Sequence, residues 1–491
     1  MKCLCAFALI ALLGGCVVGP KYAQPAPPGG TPIGPLAETT RNLGAISAAP
    51  LPDRWWQLYQ DPVIDRLVTE ALAHNTTIRE AAANLARARA ILSEQRGAQL
   101  PSTDITAQAN RVQSNSASAA AFGAGGGEVR TFRFDQFQSG FDVAYELDLF
   151  GGVSRAVEAS RGDVEAAAAQ LDAARVSIAA ETARAYVAAC TNAAQRAVAR
   201  ETVDLQQNTF KLTTTLFNAG RGTRRDVERA DVLLAQAQAQ LPAFEAEQRA
   251  SLYALATLTG RPPEDIDAEA ARCTAPPQLA AAIPAGDGAA LIARRPDVRA
   301  AERSLAADTA RIGVAIAELY PKIQLMGSIG QNATRGSQFF QPTAVRYSFG
   351  PLISWTLPNQ TVARARIRQS RATADAALAR FDGAVLTALN ETEQALARYA
   401  GALDRTAALA RAETSSTKAA QLSRLRFDAG ADNFLQLIQA ESDRANARAA
   451  RAASDAAVAE AQISLFKALG GGWQDASVPT RLGKPAESGG N

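Results

Sequence analysis

Ala98-Gln99-Leu100-Pro101 and Glu318-Leu319-Tyr320-Pro321 stand at an offset of 220, and each opens a run of alternating apolar and polar residues. Behind the first, Thr103, Ile105, Ala107 and Ala109 fall on one face, with Asp104, Thr106, Gln108 and Asn110 on the other. A following run sets Phe137, Phe141, Val143, Tyr145 and Leu147 against Gln138, Asp142 and Glu146. The later copy sets Ile323, Leu325 and Ile329 against Gln324, Ser328 and Gly330. It then sets Tyr347, Phe349, Ile353 and Trp355 against Ser348, Gly350 and Ser354. A period of two is the mark of a strand with one apolar face. Strands of about ten residues built this way suit a transmembrane barrel with a wet lumen. A half-buried sheet in water gives the same alternation, so the strands by themselves leave both readings open.

Outward from the strands, the repetition continues. Phe217-Asn218-Ala219-Gly220 returns as Phe427-Asp428-Ala429-Gly430, and Leu258-Thr259-Gly260 as Ala468-Leu469-Gly470, both at an offset of 210. The constant offsets on either side of one ten-residue slip identify a duplicated half, too long for a solenoid repeat. Between the markers the sequence predicts unusually long helices. Positions 153–217 hold no Pro and little Gly, and ~65 residues at 1.5 Å rise make about 100 Å. Gly220 and Gly222 stop that helix, and 223–258 supplies another of about 54 Å. The segment 62–97 gives about 55 Å more, so the two shorter helices can stack end to end along the long one. In the second half, 361–427 and 433–468 repeat the long helix and its shorter partner.

Composition narrows the function. Lys and Arg (51) nearly balance Asp and Glu (48), which implies no polyelectrolyte partner, and no basic stripe with interleaved aromatics marks a nucleic-acid surface. The single His, His74, cannot supply the several ligands of a zinc site and reads as structural. No phosphate-binding loop, HExxH or GxSxG motif occurs, and Gly123, Gly125, Gly126 and Gly127 read as a surface loop. The expectation is a chain without cofactor, metal or catalytic residues.

Met1-Lys2, the apolar run 4–13 and Leu13-Gly14-Gly15-Cys16 have the form of a secretory signal ending in a lipobox, with Cys16 as the acylated first mature residue. Acyl chains contribute ~0.8 kcal/mol per buried CH₂, so a multiply acylated Cys16 is a stable anchor. Val17, in place of the Asp that retains such proteins at the inner membrane, directs sorting outward. Cys190 and Cys273 remain after cleavage. Cys190 lies about 42 Å up the long helix from the Gly220 turn, and Cys273 follows a helix that climbs about 54 Å from it, so a disulfide can form. Two separate thiols are the other reading, and the Cα atoms must approach within about 7 Å to decide it.

Two repeats give four barrel strands. Four strands cannot close, and an open edge in lipid costs several kcal/mol per unpaired backbone group. The chain is therefore expected to pool strands with copies of itself, three copies giving twelve.

At this point the residues resemble a known family. Cys16-Val17-Val18-Gly19-Pro20-Lys21-Tyr22 resembles the start of the lipoprotein (NodT-type) branch of the TolC/OprM-like outer-membrane efflux channels. Tyr145-Glu146-Leu147-Asp148-Leu149-Phe150-Gly151 is similar to that family's strand-to-helix junction, and Arg426-Phe427-Asp428-Ala429-Gly430 through Phe434-Leu435 to its helical tip. The resemblance implies a mixed α and β membrane protein, a homotrimer whose twelve-stranded transmembrane barrel in the outer membrane is continued by a periplasmic α-helical barrel. It implies an exit duct that receives cargo from an inner-membrane RND-type transporter through a periplasmic adaptor and catalyses nothing. A duct for protein secretion uses the same channel; a tethering lipoprotein rod, the reading from another class, leaves the four strands unexplained.

The resemblance also implies where the duct is worked. Leu435, Gln436 and Gln439 stand at the periplasmic gate, where the family usually reads Leu-x-x-Leu-Asp-Ala; Gln439 replaces the usual Asp, so a ring of amides replaces a ring of carboxylates. Gly220, Arg224, Arg225, Asp226, Gly430 and Asp432 form the tips that meet the adaptor. A tie from Arg224 or Arg225 to Asp432 between helix pairs competes with plain solvated charges there. The chain is expected to divide into a signal (1–15), an acylated tail (16–60), a first repeat (61–275), a second repeat (285–471) and a flexible tail (472–491).

Overall fold

A four-stranded antiparallel sheet and several very long helices make up the chain in a computed structural model. It describes residues 17–26, 28, 46–47, 49–115, 131–279, 282–285, 288–357 and 360–473. Cys16, the signal, the 123–127 glycines and the tail from 474 lie outside the described residues. The strands are β1 (Ile46–Ser47), β2 (Ser102–Asn115), β3 (Thr131–Leu147), β4 (Ile283–Pro284), β5 (Lys322–Ala333) and β6 (Val345–Ser354). The helices are α1 (Pro62–His74), α2 (Thr76–Gly97), α3 (Gly152–Asn218), α4 (Arg224–Leu258), α5 (Ala268–Ala271), α6 (Gly288–Arg294), α7 (Pro296–Ala317), α8 (Gln360–Asp428) and α9 (Phe434–Ala468). The chain forms two units, residues 1–25, 86–165 and 302–379 in one, and 26–85, 166–301 and 380–491 in the other.

The first unit holds the sheet, in the order β2-β3-β5-β6. Its register keeps every predicted face in line. Ile105, Phe141, Ile329 and Tyr347 make one row across the four strands, and Thr103, Val143, Gly327 and Phe349 the next but one. Between them runs the polar row Asp104, Asp142, Ser328 and Ser348. Gly330 pairs with Gly140, and a Cβ on it would stand 2.0 Å from the Ser139 carbonyl oxygen, so only glycine fits there. Strand β6 ends at Ser354, one residue short of the expected Trp355, whose indole turns back to donate to the Leu319 carbonyl at 3.2 Å. Below the sheet, Phe150 and Tyr320 stack at 4.4 Å. A Cβ on Gly162 would lie 3.0 Å from the backbone nitrogen of Ala307, which packs α3 and α7 closely here.

The second unit carries the aromatic core. Trp55 is fully buried and stacks on Phe466 at 4.5 Å, with Tyr59 and Trp56 edge-on to Trp55. The parallel pair β1-β4 joins this cluster through Ile46 and Ile283. Cys190 and Cys273 form a disulfide in this core, with Cα atoms 5.1 Å apart.

The helix expected over 62–97 is interrupted at Asn75, which ends α1 in an extended conformation. Its Oδ1 accepts from Thr77 N at 2.9 Å to start α2, while its Nδ2 donates to the Leu258 carbonyl at 2.9 Å at the end of α4. Asn75 thus ties the start of α2 to the end of α4. His74 sits exposed in the last turn of α1.

Candidate functional site: a two-faced sheet and two capped tips

The apolar face of the sheet is left uncovered by the chain. Ile105 is 82% exposed, Tyr347 83% and Phe349 83%, and Phe141, Ile329 and Ile353 are also exposed. A half-buried sheet in water would cover this face, so the alternation describes a surface made for a partner or for lipid. The other face carries Asp104, Gln108, Gln138, Asp142, Glu146, Gln324 and Ser348, with Met326 and Leu352 as apolar exceptions. Asp104 and Asp142 are directly opposed, an arrangement of like charges that is unfavourable unless water reaches both. β2 and β6 are the outer strands of an open sheet.

At the foot of this sheet the N-terminal segment is docked. Val18 N donates to the Phe150 carbonyl at 3.2 Å, and Arg155 Nε reaches back to the Val18 carbonyl at 3.3 Å. Gly19 takes a positive φ of 95° and lies against Gly313, where a Cβ would come within 2.5 Å of the Gly313 Cα. The Tyr22 hydroxyl bonds Glu302, the Arg303 guanidinium lies 5.6 Å from its ring centroid, and Arg303 also pairs with Glu165 at 3.1 Å. Burial, then the hydrogen bond it donates to Glu302, pushes the Tyr22 phenol well above its ordinary range, so it stays a donor. Asp148 caps α3, accepting from Val153 N at 3.0 Å and Ser154 N at 2.7 Å. These contacts give the two sequence signatures, 17–22 and 145–151, a shared physical purpose that the sequence alone did not supply.

The tips lie in the second unit and are copies of each other. Gly220 and Gly430 end α3 and α8 at φ of 71° and 74°. In each, a following N–H closes the turn, Arg221 N onto the Leu216 carbonyl and Ala431 N onto the Arg426 carbonyl, both at 2.8 Å. Each next helix opens on a capping box, Thr223 with Asp226 and Asn433 with Gln436. Asp226 is held below the usual carboxylate range, chiefly by the Thr223 hydroxyl.

Of the two readings left open for the tip charges, the tie from Arg224 or Arg225 to Asp432 is not formed within the chain. Arg224 pairs instead with Glu228 at 2.6 Å, one turn along its own helix, and Asp432 with Arg426 at 2.8 Å across its own turn. Arg224 and Asp432 are thus each met by a partner within their own hairpin. Leu435, Gln436 and Gln439, expected at the gate, are all exposed. Gln436 Oε1 is engaged by Asn433 N at 3.1 Å, and Gln439 Nε2 donates to Asp443 at 3.0 Å. Sequence reasoning missed Asp443, one turn beyond Gln439, although that spacing was visible. It also missed Trp55 and Trp56, whose adjacency in a chain with only four Trp was the available signal.

Comparison with known proteins identifies the class. The family model described as outer membrane efflux protein matches residues 67–261 and 289–471. The chain belongs to this family. It is 30% identical over 474 residues to outer membrane protein OprJ of Pseudomonas aeruginosa, covering 95% of each chain. It is 28% identical over 470 residues to nodulation protein T of Rhizobium leguminosarum bv. viciae, covering 96% of this chain and 93% of that protein. Among solved structures, the outer-membrane channel OprN superposes with a TM-score of 0.85 at 34% identity, covering 94% of this chain and all of that one. The protein is an outer-membrane channel for efflux, as the sequence led us to expect.

Proposed function

We propose that three copies of the chain pool their strands into a twelve-stranded barrel in the outer membrane, apolar face to lipid and polar face to a water-filled lumen. The uncovered apolar face of an open sheet carries this reading. At about 3.3 Å per residue the 12 residues of β5 reach ~40 Å, and a 45° tilt brings that to ~28 Å, close to the apolar band of such barrels. Copies of β2 and β6 would meet at each of three seams, removing edges that lipid cannot satisfy. The helices of repeats 61–275 and 285–471 continue the duct into the periplasm. It is passive, and an inner-membrane RND-type pump supplies the energy through an adaptor that docks at the tips around Gly220, Arg224, Arg225, Asp226, Gly430 and Asp432.

Cys16 is the lipid anchor in this reading, which rests on the lipobox Leu13-Gly14-Gly15-Cys16 and is consistent with the docking of Val18 and Gly19 on Phe150, Arg155 and Gly313 at the foot of the sheet. The periplasmic mouth is narrowed by Leu435, Gln436 and Gln439. With Oε1 of Gln436 held by its cap, that side chain presents its N–H₂ group outward, so the ring offers hydrogen bonds without charge. A host lacking its own efflux channel tests the whole: the wild-type chain, supplied with adaptor and pump, restores export of a fluorescent cargo. Labelled palmitate enters the wild type and not Cys16→Ala. Equal labelling of both variants contradicts the anchor, and cargo retained in cells with all three components assembled contradicts the duct.

A further inference from the structure

The second unit contains a cavity of about 380 Å³ among α3, α8, α9 and the start of α7 that no part of the duct reading uses. Its lining includes four cationic side chains, Arg184, Arg295, Arg398 and Lys467, and two carboxylates, Asp297 and Glu391. Both carboxylates are taken by one partner. Arg295 Nη2 lies 2.6 Å from Asp297 and 2.8 Å from Glu391, its Nε donates to Asp297 at 3.0 Å, and its Nη1 to the Ala468 carbonyl at 3.1 Å. Four of the five Arg295 N–H groups are thus engaged, and the lining holds no further carboxylate for the remaining three cations.

Their own bonds are poor by comparison. Arg184 Nη2 reaches the Ser464 hydroxyl at 3.3 Å, and its Nε is buried with no acceptor at all. Arg398 holds only a neutral amide oxygen, that of Gln394, at 3.2 Å. Lys467 stands 3.5 Å from Glu181, a distance at which an ammonium hydrogen bond is weak. A buried guanidinium N–H without an acceptor is unfavourable, and water would satisfy the donor but leave the charge uncompensated. A planar guanidinium fork matches two oxygens of a carboxylate or phosphate, and a cation on the opposite wall adds to the attraction.

We infer that this cavity is a binding site for an oxyanion group, phosphate or carboxylate, held between Arg184, Arg398 and Lys467. The volume exceeds what one phosphate fills, so the site takes a small molecule with the oxyanion at one end. This goes beyond the duct reading and does not depend on it.

Isothermal titration of the purified full-length chain in detergent with inorganic phosphate tests the site, with ionic strength held constant by chloride. The expected result is saturable binding of one phosphate per chain. Arg184→Gln and Arg398→Gln each weaken it at least tenfold, Arg184→Lys weakens it less, and Arg96→Gln on α2 leaves it unchanged. Arg398 is solvent-exposed, so its substitution keeps the fold even if Arg184→Gln does not. Absence of saturable binding in the wild type overturns the inference, as does equal affinity in the Arg184→Gln/Arg398→Gln double variant. Both readouts come from the solubilised chain, so they are independent of whether the channel conducts or exports.

Discussion

Thr223 and Asn433 do the same work at two tips with different chemistry beside them. Replacing Asn433 by Ala removes a cap worth about 1 kcal/mol, and amide hydrogen exchange over 434–440 is expected to speed several-fold. The paired acid distinguishes the tips. A carboxylate with a lowered folded-state pKa adds stability above its unfolded value and loses it as pH falls through the lowered one. Acidification below about 4, near the ordinary Asp pKa, therefore loosens the Thr223–Asp226 capping box, while the Asn433–Gln436 box, built from two amides, has no carboxylate to lose. Equal fraying of both tips would show that Asp226 is not what holds the first. Gln439 is the residue to test at the mouth. The wild-type channel in a planar bilayer is expected to show weak cation selectivity and little block by a trivalent cation, whereas Gln439→Asp gains block that fades at high salt. Strong block in the wild type, unaltered by Gln439→Asp, would move the constriction elsewhere.

At the scale of elements, sheet and core make separate predictions. Gly330→Val places a side chain against the Ser139 carbonyl in the tightest strand contact, and the loss of strand signal by circular dichroism together with failure to insert is expected. Tolerance of valine there would mean that the β3–β5 register differs. Cys190→Ser opens a disulfide with a sequence separation of 83 and is expected to cost about 2–4 kcal/mol of stability, seen as a lower unfolding midpoint in denaturant. The strands and the long helices were legible because each carries its own period and because duplication printed each signal twice. The bend at Asn75 was not legible, since an Asn inside helical sequence is common and only its reach to Leu258 makes it a junction. α7 went unread as well, although Pro296 at its first turn is a recognised opening. For the tip charges the sequence left open a tie to the other hairpin or plain solvated charges, and within the chain Arg224 and Asp432 pair locally instead. Sequence spacing does not reveal that Arg426 is closer to Asp432 than either arginine of the other hairpin.

For the whole molecule, closure of the sheet decides what it can do in a membrane. Four strands with an apolar face open to solvent and two unpaired edges form no stable membrane body alone, whereas twelve do. Family membership and the likeness to a solved channel agree with a duct, and the polar rows with their opposed Asp104 and Asp142 call for water on that face. The most direct measurement is the mass of the purified protein by light scattering with the detergent contribution subtracted. The account predicts three chains of 51.5 kDa, less the signal and plus lipid, in a single species. A monodisperse single chain that still inserts and conducts would contradict it.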